Sequence, residues 1–499
     1  MEMLSSLLIY RCTMFHNLDQ FAQDLSLVPA GTKKLKCDQV RELKSLKGMP
    51  DSVEELMLFG CLNLTSFEGM SDSVTRLDYS YCDVFSWKGV SKNLKQLFLS
   101  ATDEEEEGID HLRGLPEGLE HITCARSCVS SLKGMPSNVK YLNIAFTPLE
   151  NLDGISESIE ELHCGDNLVT AIIPDSVKIL QIDLHRTTSI RLPTGLKELH
   201  LTNRKNMHID FDKLPNLEKL SVMYMIIDFE ELPRNLKELS LKYIGSLETL
   251  RGCPAVKKLD YSGGTVTSLK GLPEGILELN IDNSEIESLK YCPQSVVSLD
   301  CGYTRITSFK GISKSCKKLI CKALKLEDFQ YLPDGIETID ATFCNVSSLK
   351  GMPDTVTELA ISNAKELESL QHLPKGLIKL DCEGSGIQSL EGIPRSLEYL
   401  NCSQCNNLST LEGIPKNSRL KEVLCNRCLH LESLAGLPAT VKILDCRWSS
   451  RLRPNIKMLF IKQLKFSLEA EIQKYKKMTI FRMKLLMIQA GEKKEASLS

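Results

Sequence analysis

The chain has 499 residues, of which 42% are hydrophobic, 25% charged and 6% aromatic, and its formal net charge is −4. This near-neutral balance and the lack of any run of about 18 apolar residues disfavour a generally basic nucleic-acid-binding protein and a transmembrane protein. The 19 cysteines are odd in number and spread along the whole chain, which favours small core residues in a reducing compartment over a disulfide framework.

Residues 1–24 precede the regular part of the sequence. Their apolar residues, among them Leu4, Leu8 and Phe15, fall near helical spacing and predict a short amphipathic helical cap. The segment has neither a basic leader nor a small-residue cleavage site, so we expect no cleaved signal peptide.

A short repeat occupies residues 25–450. Seventeen of the 19 prolines, from Pro29 to Pro438, share one register, and serines fill the four gaps in that register. The result is about 21 turns at a mean spacing of about 20 residues. The four serines are Ser71, Ser91, Ser156 and Ser313.

The repeat unit has apolar residues at fixed places, as in Leu142, Ile144, Leu149 and Leu152. This is the outline L-x-x-L-x-L-x-x-N/C/T-x-L of a leucine-rich repeat. Leu142 and Ile144 are two residues apart, so both face the core from one side of a short strand. Twenty residues leave no room for a long helix, and the recurring Gly-x-Pro disfavours one. We therefore predict an α/β repeat solenoid. It would be a leucine-rich-repeat horseshoe with a parallel β-sheet on its concave face, an extended or polyproline convex side and helical caps at both ends.

A small, mostly polar residue lies three positions past the last core residue of each strand, and we call this place the ladder position. We expect these side chains to hydrogen-bond neighbouring coils where the chain leaves the strand. The residues are Cys61, Cys82, Ser127, Thr147, Asn167, Ser284, Thr304, Cys344, Ser385, Cys405 and Cys428.

Two polar features lie early in the array. The acidic run from Asp103 to Glu107 lengthens one repeat, and it is either a solvated loop or a contact for a basic partner. His163, Asp166 and His200 project toward the concave side, but the two histidines are two coils apart, about 10 Å, which is too far for a shared metal ion. We predict no catalytic residues and no cofactor.

The concave column between the two core positions of each strand is rich in Asp and Asn, and aromatic residues run beside it. An acidic stripe edged by rings suits a partner protein bearing Arg or Lys, because charges steer the encounter and rings anchor it. The alternative is a column that is polar for solubility alone. The predicted partner-binding residues are Tyr224, Tyr243, Asp260, Asn280, Asp300, Tyr303, Asp340, Phe343, Asp381 and Asn401.

The repeat frame resembles that of a known group of proteins. The run SLKGMPDTVTEL from Ser348 to Leu359 is similar to the 20-residue repeats of the bacterial effectors of the YopM and IpaH families. Here Cys, Ser or Thr often replaces the usual Asn at the ladder position. The FNIP repeats of amoebae and large viruses share the pattern PQSVVSL seen from Pro293 to Leu299, but their Phe-Asn signature is absent.

The resemblance implies a secreted effector that acts in a host cytoplasm and binds host proteins on its concave face. IpaH members add a large ubiquitin-ligase domain with a catalytic cysteine. About 50 residues follow the last repeat here, with no cysteine after Cys446, so we expect no such activity.

Cys402, Cys405, Cys425 and Cys428 have the spacing of a zinc ribbon. The repeat explains them equally well, since Cys402 and Cys425 fall at a core position of the strand and the other two at the ladder position. We predict core residues and no metal, with zinc as the alternative.

Residues 451–499 form a basic tail with 12 Lys or Arg and 4 Asp or Glu, a net charge of +8. Apolar residues from Leu464 to Ile488 step by three or four and predict an amphipathic helix over about 463–490. We expect it to cap the last coil, with a surface for an anionic membrane or a partner as the alternative.

The sequence thus predicts a non-catalytic scaffold that binds one or more proteins on its concave face, with neither a nucleic acid nor a small-molecule substrate. Two other functions stay open: a substrate-recognition or regulatory component of a ubiquitin-transfer or other enzyme complex, and an extracellular receptor or adhesin.

Overall fold

The structure is a computed structural model that describes residues 15–17, 22–100, 108–165, 167–202, 207–245, 247–452 and 460–461. The chain divides into two compact units, Met1–Ser240 (unit 1) and Leu241–Ser499 (unit 2). No helix in these described ranges has the length and hydropathy needed to cross a bilayer.

Short strands recur once in each coil, except that two coils of unit 1 carry a second strand. In unit 1 they are β1 Phe15–Asn17, β2 Lys34–Asp38, β3 Glu55–Phe59, β4 Arg76–Ser80, β5 Gln96–Ser100, β6 His121–Thr123, β7 Tyr141–Asn143, β8 Glu161–Cys164, β9 Thr170–Ile172, β10 Ile179–Asp183, β11 Ser189–Arg191, β12 Glu198–Thr202 and β13 Lys219–Met223. Strand β14, Glu238–Lys242, falls at the unit boundary. In unit 2 they are β15 Lys258–Asp260, β16 Glu278–Asn280, β17 Ser298–Asp300, β18 Lys318–Ile320, β19 Thr338–Asp340, β20 Glu358–Ala360, β21 Lys379–Asp381, β22 Tyr399–Asn401, β23 Glu422–Leu424, β24 Ile443–Asp445 and β25 Phe460–Ile461.

Equivalent residues of successive coils pair side by side. In unit 1, Leu142 of β7 pairs with Leu162 of β8 in a parallel register, and in unit 2, Leu279 of β16 pairs with Leu299 of β17. Strands β9 and β11 form a separate two-stranded parallel sheet, and β25 pairs antiparallel with β24. The predicted parallel sheet, to which successive coils each contribute a strand, is confirmed.

The strands bury every second residue. Leu142 is fully buried while Tyr141 and Asn143 on either side of it are half-buried, so one side of each sheet faces the core. We call the other side the strand face. Leucine, isoleucine, valine and cysteine fill the core, with larger rings such as Phe309 and Phe329 stacked at a centroid distance of 6.2 Å.

The proline register forms a hydrogen-bonded turn that leads into each strand. The N–H of Val356 donates to the carbonyl of Pro353 at 3.2 Å, and Val74 donates to Ser71 at the same distance. Serine replaces proline because its hydroxyl accepts a bond from the N–H two residues later, as Ser71 does from Ser73. Proline fixes this turn covalently, whereas serine fixes it through a side-chain hydrogen bond.

Helix is scarce in the described coils, as the sequence predicts. It consists of two single 3-10 turns, Phe211–Lys213 and Phe229–Glu231. The rest of each coil consists mainly of turns and segments without regular secondary structure, and these carry further core leucines.

The predicted caps fall largely outside the described residues. In the N-terminal range, Phe15–Asn17 forms strand β1 and pairs parallel with β2, so the helix predicted there is wrong for these three residues. The acidic run 103–107, Asp166 and the basic helix predicted over 463–490 also lie outside the described residues.

Candidate protein-binding surface

The strand face of unit 2 carries a column of Asp and Asn in equivalent positions, and we call these residues the Asx column. The pairing of β15 to β22 sets them side by side, one in most coils, with Ile320 and Ala360 in two of the places. The column consists of Asp260, Asn280, Asp300, Asp340, Asp381, Asn401 and, near its end, Asp445.

Each member of the Asx column has a structural task. Its Oδ1 accepts a hydrogen bond from the backbone N–H two residues later, at 2.9 Å for Asn280, 3.1 Å for Asp300 and 3.2 Å for Asp445. This bond satisfies an N–H where the chain leaves the strand. Because Asp and Asn both offer Oδ1, they exchange freely in the column.

Basic side chains neutralise part of the predicted acidic stripe. Lys242 Nζ lies 3.4 Å from Asp260 Oδ2, and Lys322 Nζ lies 3.2 Å from Asp340 Oδ2. The negative charge concentrates instead around Asp300. Burial raises the pKa of Asp300, and the carboxylates of Asp282 and Asp340 raise it further, against the Gly302 N–H and Lys322.

Aromatic residues occupy a left-handed turn just past the strands of unit 2. The φ angle is +53° at Tyr243, +50° at Tyr303 and +62° at Phe343, and about half of each side chain is exposed (45%, 52% and 55%). Other coils place Gly263, φ +69°, or Asn283, φ +54°, at this turn, which suits the conformation. A bulky ring is unfavourable there for the backbone and for solvation.

Sequence reasoning missed three members of this aromatic set. Tyr81 and Phe146 in unit 1 and Trp448 in unit 2 have the same left-handed turn, and they are 43%, 58% and 61% exposed. Each immediately precedes a ladder-position residue, and this position is the signal that would have found them. Tyr224, which the sequence grouped with the site, has the same geometry but belongs to unit 1, whereas the other nine predicted residues lie in unit 2.

The ladder position differs from its prediction in one respect. The hydroxyls of Ser284 and Thr304 donate to the carbonyl three residues earlier in their own coil, at 2.6 and 2.8 Å. The longer side chain of Asn167 and the thiol of Cys344 do reach the preceding coil, where they donate to Thr147 and Cys321. Bonding between coils is therefore confirmed for these asparagine and cysteine residues and wrong for these hydroxyls.

The cysteines with zinc-ribbon spacing are fully buried in unit 2. The thiols of Cys405 and Cys428 donate to the carbonyls of Cys382 and Cys402, at 3.2 and 3.1 Å. Burial raises the pKa of the Cys428 thiol to about 12. Among the described residues, no three His, Cys, Asp or Glu side chains are grouped to hold a metal ion.

The two concave-side histidines of unit 1 are separated as the sequence predicts. Gln181 of β10 pairs with His163 of β8 on one side and with His200 of β12 on the other. Each imidazole instead contacts a glutamate of its own strand, Glu161 or Glu198, with Nε2 to Oε1 distances of 2.8 Å.

No protein-family model matches the sequence, and no curated protein matches it. Solved structures do resemble it. CroV588, a circular leucine-rich-repeat protein, has a TM-score of 0.58 at 15% identity over 90% of this chain and 78% of that one. The mouse RP105/MD-1 complex has a TM-score of 0.54 at 14% identity over 84% and 83%. YopM from Yersinia enterocolitica WA-314 has a TM-score of 0.42 at 18% identity over 90% and 93%.

The likeness to CroV588 and RP105 concerns the fold alone. Together with the recurring strands and their registered parallel sheet, it shows that the chain is a leucine-rich-repeat protein, a parallel β-solenoid with about 20 residues in each turn. This fold is consistent with a protein-binding scaffold.

Proposed function

We propose that the chain is a non-catalytic scaffold that binds a partner protein on the strand face of unit 2, the face predicted to be concave. The observation that carries this proposal is the set of exposed aromatics at Tyr243, Tyr303 and Phe343, held in left-handed turns beside the Asx column. Exposed aromatic side chains are enriched among the residues that anchor protein interfaces, and these three lie beside a charged column.

The partner would present basic groups to this surface. Asp282, Asp300 and Asp340 lie close enough for their carboxylates to influence one another, and the rings of Tyr303 and Phe343 stand at the edge of the same strands. An Arg or Lys of the partner would relieve the repulsion among these carboxylates while its apolar part covers a ring.

The aromatic anchors are tested with a matched pair of variants. The chain offers a control, since Tyr291 and Tyr331 are also exposed, at 50% and 60%, and also have positive φ angles, but lie at the turn before the proline and outside the strand face. Proteins captured from a cell lysate by the wild type are identified and their affinity is measured with purified components. Tyr303→Ala with Phe343→Ala should weaken binding about 30-fold or more, and Tyr291→Ala with Tyr331→Ala should leave it unchanged. Equal losses in both pairs would contradict the proposal.

The acidic contribution is tested without disturbing the turn. Asp300→Asn with Asp340→Asn removes two charges and keeps the Oδ1 acceptors, as Asn280 and Asn401 do naturally. Lysine at these places would also remove the turn hydrogen bond, so the asparagine pair is the cleaner variant. Binding should weaken and its salt dependence should flatten. Unchanged affinity and salt dependence would show that the charges serve only solubility.

The place of action is proposed as the cytoplasm of a host cell, reached as a secreted effector. Its support is the resemblance of the repeat frame SLKGMPDTVTEL, Ser348 to Leu359, to that of bacterial effectors. An antibody to the chain, applied to fractions of host cells exposed to the source organism, tests this. Chain in the host cytosol supports the proposal, and chain confined to the source organism contradicts it.

A further inference from the structure

Two cysteines of unit 1 lie side by side at the ladder position of neighbouring coils. Phe59 of β3 pairs with Ser80 of β4, and both strands are followed two residues later by a cysteine, Cys61 or Cys82. The coils stay in register past the strands, since the N–H of Gly60 donates to the carbonyl of Ser80 at 3.0 Å. Equivalent residues of neighbouring strands lie about 4.8 Å apart, which falls within the Cα separation of about 4.4–6.8 Å that a disulfide bond spans.

The side chains of these two cysteines are in contact. The N–H of Cys61 donates to the Sγ of Cys82 at 3.4 Å, and the Cys82 thiol donates a hydrogen bond to the sulfur of Cys61. This bond lowers the pKa of Cys61 and raises the pKa of Cys82, whereas burial raises the pKa of the Cys124 thiol to about 12. A thiolate therefore forms more readily within the pair, at Cys61, than at a buried cysteine such as Cys124.

One thiol of the pair is accessible from solvent. Cys61 is fully buried, but Cys82 is only half-buried. Unit 2 offers a comparison, since the thiols of Cys321 and Cys344 are also hydrogen-bonded to each other but both are buried. The two pairs thus share the thiol–thiol contact and differ in whether a small molecule can reach a sulfur.

We propose that Cys61 and Cys82 form a redox-sensitive dithiol site, which a small-molecule disulfide oxidises to a disulfide bond between the two coils. This site lies in unit 1 and does not depend on the proposed protein-binding surface of unit 2.

The reaction is a thiol–disulfide exchange in two steps. Starting from the Cys61 thiolate, the proton of Cys82 passes along the hydrogen bond to Cys61 while the Cys82 sulfur attacks the small disulfide RSSR and releases RS⁻. Cys61 then attacks the Cys82 sulfur, displaces the second RS⁻ and passes its proton to it. The pair is oxidised by two electrons to one S–S bond, and RSSR is reduced to RS⁻ and RSH.

The new bond joins the two coils beside a pair of exposed rings. Tyr81 immediately precedes Cys82, has a φ angle of +57° and is 43% exposed. Its ring centroid lies 4.9 Å from that of Phe59, two residues before Cys61. Oxidation therefore ties together the chain segments that present Phe59 and Tyr81, and reduction releases them.

The test is incubation of the reduced full chain with oxidised glutathione, followed by alkylation of the remaining thiols, proteolysis and mass spectrometry. The Cys61–Cys82 disulfide should form about tenfold faster, or more, than a Cys321–Cys344 disulfide, because only the first pair has an accessible sulfur. Equal rates for the two pairs would overturn the proposal, and so would the absence of a Cys61–Cys82 disulfide.

Serine variants separate the roles of the two thiols. Serine occupies the ladder position naturally at Ser284 and Ser385, so Cys61→Ser and Cys82→Ser should both fold. Cys61→Ser should retain glutathione on Cys82, because no second thiol displaces it, and Cys82→Ser should leave Cys61 unmodified. Glutathione that stays on Cys82 in the wild type as it does in Cys61→Ser would contradict the second step, and the proposal with it.

Discussion

Substitution of one glycine at the turn before the proline tests how closely successive coils approach. A Cβ placed on Gly351, where φ is +87°, would lie 2.6 Å from the backbone nitrogen of Gln330 and 2.8 Å from its Cα. Gly275 is also left-handed, with φ +99°, but a Cβ there would meet nothing within 4 Å. Both glycines lie in unit 2, so they separate backbone conformation from collision with the neighbouring coil.

The two effects have different sizes. The left-handed conformation should cost an alanine about 1 kcal/mol at either site. Collision with backbone atoms that cannot rotate away adds about 1–3 kcal/mol at Gly351 alone. We therefore expect Gly275→Ala to lower the free energy of unfolding by about 1 kcal/mol and Gly351→Ala by about 2–4 kcal/mol.

The assay is urea unfolding of the full chain, followed by circular dichroism, for the wild type and both variants. The equivalent position of the preceding coil holds Tyr331 with φ +71°, so the repeat can accommodate a side chain there. Equal losses of unfolding free energy for Gly275→Ala and Gly351→Ala would show that the neighbouring coil accommodates the added methyl group at Gly351. Close approach of the coils would then not be the reason for glycine in the repeat.

Three further predictions concern ionisation, thiols and the strand-exit turn. Burial, and then the charge of Arg76, lowers the pKa of His121, so the folded chain binds that proton less tightly than the unfolded chain. The contribution of His121 to stability is present above about pH 6.5 and is lost as the pH falls below that value. The urea midpoint should therefore drop less between pH 7.5 and pH 5.0 in His121→Phe than in the wild type. Equal drops would contradict this. Burial raises the pKa of Cys253 and Cys446 to about 12, so both thiols should resist Ellman's reagent at pH 8 until the chain unfolds. Cys128 is only half-buried, so Cys128→Ser should remove one fast-reacting thiol. Fast modification of Cys253 in the folded chain would refute this. Asp340→Leu should destabilise unit 2 by about 1–2 kcal/mol in urea unfolding, and Asp340→Asn by much less, because only asparagine keeps the acceptor for the Thr342 N–H. Similar losses in the two variants would show that this hydrogen bond does not stabilise the turn.

The repeat and its register could be predicted from sequence because proline, serine and the core leucines recur at one spacing and have direct physical tasks. The ladder bonds could be predicted only in part, since a short hydroxyl such as that of Ser284 bonds within its own coil, whereas the thiol of Cys344 reaches the preceding coil. The left-handed turn at Tyr303 could not be foreseen, because neither Gly nor Asn marks it there. The stacking of His121 on Tyr141, with ring centroids 4.0 Å apart, also escaped detection, since it depends on packing between strands rather than on spacing.

The fold does not require a carboxylate at every place of the Asx column. The exit turn needs an Oδ1 acceptor at the Asx column, and Asn280 and Asn401 show that asparagine provides it without charge. Aspartate at Asp300, where burial and two neighbouring carboxylates raise the pKa, is therefore a less stable choice than the turn requires. In unit 1 the same strand position holds Phe98, Thr123 and His163, so the coil also closes without any Asx residue. Because each coil accepts these alternatives, the fold does not dictate the carboxylates of the Asx column, and this supports the proposal of a basic partner.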